Sequence, residues 1–254
     1  MSLAHRTTPL DHFYALTARV YPALAGGTVI SDEQCICAEQ DNSAVIQRLY
    51  DTLQNAHPEA GMPYWSVRTW SLLVWQPVFL TVLGVHGAGV VPPLLQMRQK
   101  LGHGFVAGYD LPEDAWYAGA EDHLVEVGAR TLRELCDTLL AELREITLLK
   151  PLSAMRLVAD SVLAAISRLH EIRPDIDQQR QLKLAWTWLR AMGLEGQSAL
   201  MPLPLPDGRT PLALDRKGCC MHYRRHDGDL CATCPKQKDD VRFARMKEEL
   251  SHNA

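Results

Sequence analysis

Apolar side chains recur at helical spacing along most of the chain, and the breaks in that rhythm divide it. Phe13, Leu16, Val20 and Leu24 form one stripe with Asp11 in its first turn, which predicts a helix over 8–24. Pro22 should end or kink it early, and Gly26-Gly27 interrupts the chain. Val45, Ile46, Leu49, Tyr50 and Leu53 mark a second helix over 42–56, with capping candidates in Asp41-Asn42-Ser43. Residues 69–97 carry no charged side chain, which raises the question of a membrane span. Gln76-Pro77, Gly84, His86, Gly87, Gly89 and Pro92-Pro93 interrupt that stretch. Its apolar piece, Leu72 to Val85, reads as a buried helix followed by a turn, with no transmembrane span. Trp65, Trp70 and Trp75 are expected to pack in the core and at its rim.

Two short runs, Leu94–Leu101 and Phe105–Tyr109, flank Gly102-His103-Gly104 and read as a β-hairpin with His103 solvated in its turn. Three further helices follow. Leu124, Val127, Leu132, Leu135, Leu139, Leu143 and Ile146 keep helical spacing up to a stop at Pro151. Met155, Val158, Val162, Ile166 and Leu169 define the next, ending before Pro174. Leu182, Ala185, Trp186, Leu189 and Met192 define the third, closed by Gly193. Short connections imply that the three pack antiparallel. Leu200 to Gly208 is rich in proline and reads as a stiff extended linker to a strand at Pro211–Asp215. A last helix is expected over 239–250, with Asp239 and Asp240 in its first turn.

At 254 residues and 47% apolar content, the chain can bury a core without covalent staples. Its net charge of −4 is unevenly spread: Asp215 to Lys247 holds nine Lys/Arg against five Asp/Glu. A basic patch there would attract an anionic ligand or an acidic partner. The acidic whole and the lack of any nucleic-acid-binding signature argue against DNA or RNA as a partner. No Gly-rich phosphate loop, dinucleotide fingerprint or Ser-His-Asp spacing is present.

Four of seven cysteines lie between Cys219 and Cys234, as Cys-Cys, ten residues, then Cys-x-x-Cys. The odd total and an N-terminus without an unbroken apolar run disfavour disulfides. Four thiolates suit a structural zinc ion or an iron–sulfur cluster. Adjacent cysteines point to opposite faces of an extended chain, so both can ligate only where the backbone bends, and Gly218 precedes them. A cluster with two metal atoms eases that demand and leans the choice toward iron–sulfur. Asp227-Gly228 signals a tight hairpin, but such a hairpin would hold Cys231 on the order of 15 Å from the first pair. Ligation therefore requires 221–230 to be a wider loop. Cys35 and Cys37, one residue apart, read as an incidental pair, and Cys136 as a small core residue.

The Cys-Cys-x10-Cys-x2-Cys pattern, with Arg216-Lys217 before it and Tyr223-Arg224 inside it, resembles the FhuF-type ferric siderophore reductases. The resemblance covers about 30 residues. It implies a 2Fe–2S cluster held by Cys219, Cys220, Cys231 and Cys234, through which one electron reaches a bound ferric siderophore. It also implies a cytoplasmic protein, at most loosely associated with the inner face of the membrane. The missing flavin and nicotinamide motifs then call for an outside donor, a ferredoxin- or flavoprotein-like partner or a diffusible reductant. Arg216, Tyr223, Arg224 and Arg225 become candidate substrate contacts. The alternatives are an iron–sulfur electron carrier or redox sensor, and a structural zinc module. The expected fold is predominantly helical α+β: antiparallel helices with a short hairpin or small sheet and a C-terminal cluster-binding loop. Residues 1–200 would form the helical domain and 201–254 the cluster-binding segment packed on it.

Overall fold

The computed structural model describes residues 9–27, 35–102 and 104–252, so His103 lies outside the described residues. Helix α1 (Pro9–Val20) ends before a 3-10 turn at Pro22–Leu24, as Pro22 implied, and a two-residue strand β1 (Gly26–Gly27) follows. Strand β2 (Cys35–Ile36) leads to α2 (Ser43–Ala56). A second 3-10 turn, Pro58–Ala60, delivers the chain to α3 (Met62–Leu83).

Helix α3 is the axis of the molecule. It starts about three turns before the apolar piece recognised in the sequence and continues through Pro77. The Thr81 hydroxyl caps the Pro77 carbonyl at 2.6 Å, but no break follows. From Tyr64 to Leu83 nearly every side chain is buried, including Trp70, Leu72, Leu73, Val74 and Leu80. A helix that is apolar all round must be covered all round, and α3 packs against α2 together with two later helices. By length and composition Met62–Ala88 could cross a membrane, but most of it is enclosed in this core.

A π-turn, Gly84–Ala88, ends α3 and leads into the short strand β3 (Val90–Val91). The hairpin expected at 94–109 is present, but its first arm is shorter. Leu94–Gln96 is a 3-10 turn, and only β4 (Arg98–Leu101) pairs antiparallel with β5 (Val106–Asp110). These two join β1 and β2 in a sheet of order β1-β5-β4-β2. Strand β6 (Tyr117–Ala118) pairs with β3.

Helix α4 (Glu121–Ile146) keeps its apolar face inward. Pro151 does not stop it. Four residues intervene, and Pro151 opens α5 (Pro151–Ser167), the position where a missing N–H costs nothing. Helix α6 (Gln178–Ala191) is capped by the Asp177 side chain accepting from the Arg180 N–H at 2.7 Å. It touches both α4 and α5, whereas the main neighbour of α5 is α3. Trp186, expected on the inner stripe, is 58% exposed, with the Arg190 guanidinium 4.9 Å over its ring.

Behind α6, a buried polar group locks α4 to the rest. The Trp188 indole N–H donates to His86 Nε2 at 2.8 Å, which leaves the proton of that imidazole on Nδ1, 3.5 Å from Glu121. His86 and the guanidinium of Arg180 together hold the Glu121 carboxyl down from 4.5 to about 2. A carboxyl depressed by folding adds stability above its unfolded value and loses it as pH falls. Glu121→Gln should therefore flatten the acid limb of the melting-temperature profile between pH 4.5 and about 2. A profile parallel to the wild type would sink that assignment.

The proline-rich stretch after α6 is not a free linker. Strand β7 (Ser198–Pro202) pairs antiparallel with β8 (Leu212–Arg216), from Ser198 opposite Arg216 to Pro202 opposite Leu212. The prolines fall at the strand end and in the connecting turn, where no ladder N–H is lost. Leu203 and Ala213 form a small apolar cluster of their own with Met246 of α7 (Asp239–His252), and Ala232 and Phe243 pack against it. This hairpin rests on α5 and carries the cysteine segment at its end.

Candidate metal centre

Strand β8 hands the chain to Lys217, Gly218 and the first cysteine pair. The bend those neighbours need is not at Gly218. It lies at Met221, a non-glycine residue in the left-handed region at φ +56°. Gly218 serves a different purpose. A Cβ there would meet Arg156 and Leu157 side chains at 3.3 Å, so its absence lets the loop lie against α5.

Beyond Met221 the chain winds through a 3-10 turn, His222–Arg224, and curls back on itself. Arg225 N–H donates to His222 O and Gly228 N–H to Arg225 O, both at 3.1 Å. At Gly228 a Cβ would lie 2.1 Å from the His222 carbonyl oxygen, so any side chain would push the coil open. The loop is wide, as ligation required. Cys231 to Cys234 then form a tight turn, with Cys234 N–H donating to Cys231 O at 2.9 Å. Gln237 clamps that turn through Cys231 O at 2.9 Å and Ala232 O at 3.2 Å, and Arg245 of α7 holds Gln237 at 2.8 Å.

The result is two pairs of free thiols. Cys219 Sγ and Cys234 Sγ stand 3.9 Å apart. Two thiolates each ~2.3 Å from one tetrahedral metal are separated by roughly 3.8 Å, so this pair already has the spacing of ligands to a shared metal atom. Cys220 and Cys231 form the second pair. The Cys231 thiol, with help from the His222 N–H and Arg216, holds Cys220 down at about 5. The same contact raises Cys231, and burial with Cys234 alongside pushes Cys219 up to about 11. Among the described residues no three His, Cys, Asp or Glu side chains gather on one point as a mononuclear ion needs. Two pairs suit two metal atoms better than one. Cys234 is buried while the other three are partly exposed, so the site is anchored on one side and open on the other. The residues present therefore fit a 2Fe–2S cluster, with Cys219, Cys220, Cys231 and Cys234 as the groups that would hold it.

A buried ion pair braces the site from below. Arg216 Nε donates to Asp160 Oδ2 of α5 at 2.8 Å, and its Nη1 lies 3.8 Å from Cys231 Sγ. Ser198 Oγ donates to the other Asp160 oxygen at 2.7 Å. Burial raises the Asp160 carboxyl, and Arg216 and Ser198 oppose that rise. Asp160 was not singled out in the sequence. Its signal was there: apart from Arg156 it is the only charged residue of α5, set in the apolar run Leu157-Val158-Ala159 and Val162-Leu163.

The other candidate contacts have partners too. Arg224 Nε donates to Ala60 O at 2.5 Å and the His226 N–H to Glu59 at 3.1 Å, tying the loop to the turn before α3. Arg225 pairs with Asp227 at 2.6 Å, and Lys236 lies 5.6 Å over the Tyr223 ring. Cys136 is wholly buried on α4, its thiol pushed up to about 12 by burial. Cys35 and Cys37 are buried on and beside β2, where Arg98 Nε donates to Cys35 Sγ at 3.1 Å and Cys37 Sγ to Leu95 O at 3.5 Å.

No solved structure matches the chain. Residues 216–236 match the family model described as the FhuF 2Fe-2S C-terminal domain, and all four paired cysteines fall within the match. The helical body lies outside it. What the thiol pairs suggested by spacing, the match states by family: the segment around Cys219, Cys220, Cys231 and Cys234 is a FhuF-type 2Fe–2S C-terminal domain, and its cofactor is a 2Fe–2S cluster.

Proposed function

We propose that the protein is a cytoplasmic ferric-siderophore reductase, taking single electrons from a ferredoxin- or flavoprotein-like donor and releasing ferrous iron from its chelate. The observation that carries this reading is the FhuF-type 2Fe–2S domain, whose thiol pairs are anchored at Cys234 and open to solvent at the other three. Such a cluster supplies a one-electron couple within the roughly −700 to +450 mV that protein iron–sulfur sites span. Hard oxygen donors bind ferric iron far more tightly than ferrous, and each tenfold of that preference lowers the chelate's potential by about 59 mV. The chain's own part is to fix the potential and the approach. Arg216 sets a positive charge beside Cys231, and Arg224 fastens the loop to the body so that the thiol pairs keep their spacing.

Protein purified without oxygen should be coloured, with iron and sulfide in equal amounts at two each per chain, and should bleach with dithionite. Adding a ferric siderophore to the bleached protein should restore the colour, while a ferrous-specific chelator reports the released iron in matching amount. Colour that returns with a protein partner but with no ferric chelate would make the chain an electron carrier or sensor instead. A colourless zinc protein would end the redox reading altogether.

A further inference from the structure

Beside Cys219 the surface opens into a recess of about 270 Å³ between the start of α3, the start of α5 and the Lys217–Met221 turn. Three cations line it, Lys150, Arg156 and Lys217, and no carboxylate does. Arg156 donates to the Gln197 side chain at 3.1 Å and Lys217 to the Gly196 carbonyl at 2.6 Å. Both partners are neutral, so neither charge is cancelled. Among the described residues none of the three has an acidic ion-pair partner. Asp160 lies behind Gly218 and is held by Arg216 and Ser198. The rest of the wall is mostly apolar, Val67, Leu149 and Met221 with Met62 and the 81%-exposed Leu148 at the mouth, and the hydroxyls of Ser66 and Ser153 are its neutral polar groups.

We infer that this recess is the docking site for an anionic, aromatic ferric chelate, of which the catecholate class is the chemical match. The inference rests on the reductase reading and names its substrate class. Uncancelled cations around a ligand cysteine concentrate a multiply anionic complex and repel a cationic one. Lysine and arginine also bind the faces of electron-rich rings, and methionine sulfur packs at ring edges. A neutral trihydroxamate would gain none of these. The volume admits one catechol arm, with the rest of the complex outside, and Cys219 lines the recess, so the chelate would sit against a cluster ligand. The step balances as one electron: the reduced 2Fe–2S centre is oxidised, ferric iron becomes ferrous, and the donor protein restores the electron.

Gallium(III) matches ferric iron in charge and size but is not reduced, so binding can be read without turnover. Calorimetric titration of the oxidised, cluster-loaded protein should show a gallium tris-catecholate binding at least about tenfold more tightly than a gallium trihydroxamate, with steep salt dependence. Lys150→Gln with Arg156→Gln should cost the catecholate about tenfold or more and leave the trihydroxamate unmoved, with the cluster spectrum intact. Lys183→Gln, on an exposed face of α6, is the control. Equal binding of the two complexes, or catecholate binding indifferent to the double substitution, overturns the site. So does a double variant that only slows reduction by a protein donor, since the recess would then be a donor-docking face. The reductase reading is tested separately by the colour-return experiment. Gallium catecholate can bind as expected to a protein that no ferric chelate reoxidises, and a reductase can turn over without this preference.

Discussion

Alanine at any one of Cys219, Cys220, Cys231 or Cys234 is expected to reduce bound iron and sulfide to about a tenth of wild type or less. Alanine at Cys35, Cys37 or Cys136 should leave both unchanged. Loss of an outer-shell partner already costs metal affinity about 10–100-fold, and loss of a thiolate ligand costs more. Each thiol pair has two members, and the nearby carboxylate, Asp160, is already engaged by Arg216 and Ser198, so neither pair has a spare thiol. The three remaining cysteines are occupied in packing. Cys136 is enclosed on α4, and the two on and beside β2 have Arg98 and the Leu95 carbonyl as partners. Cys136→Ala removes one buried sulfur and should lower the melting temperature slightly while the colour persists. Iron and sulfide analysis of all seven variants, with circular dichroism to confirm folding, reads the division. A colourless but folded Cys35 or Cys37 variant would mean that the cluster draws on the sheet as well.

The cysteine spacing could be read because ligation is a local demand: four thiols within sixteen residues must meet, and that alone rejected the Asp227-Gly228 hairpin. What positions them was harder to see. The bend is at Met221, where no sequence rule places a left-handed residue, because the backbone there is constrained by the coil through Gly228 and not by its own preference. The helices were legible where one face is apolar, as in α2 and α4, since the period survives. The first ten residues of helix α3 were missed because it is apolar on nearly every side, which leaves no one-sided period to mark where it begins. Strand β7 was hidden in a proline-rich run, because the prolines mark its end and its turn rather than its interior. Asp160 stood out only as a charge in an apolar run, and its place at the site could not be read because its partner, Arg216, lies 56 positions further along.

That pair carries the second large effect. Arg216→Met should destabilise the protein by about 3–5 kcal/mol at neutral pH, because it leaves Asp160 buried, 6% exposed, without its cation. The sign with pH follows from the direction of the Asp160 shift. Burial raises this carboxyl in the folded state, and removing Arg216 raises it further. A group raised by folding favours the fold below its unfolded value, about 3.9 for Asp, and opposes it as pH rises toward the folded one. The penalty should therefore shrink by up to about 1.4 kcal/mol per pH unit as urea unfolding is moved from pH 7 toward pH 5. A penalty independent of pH would place the loss in packing instead of charge. Adding Asp160→Asn should recover most of the stability, because the stranded charge is gone and Ser198 keeps an acceptor. It should not recover the redox property. Arg216 also faces Cys231 at 3.8 Å, and a cation beside a cluster thiolate favours the reduced state. The stable double variant should therefore show a midpoint potential lower by on the order of 50 mV, read by spectroscopic titration. An unchanged potential would make Arg216 a structural brace alone. A lowered one would make the same arginine both the support of the cysteine loop and the residue that adjusts its electron affinity.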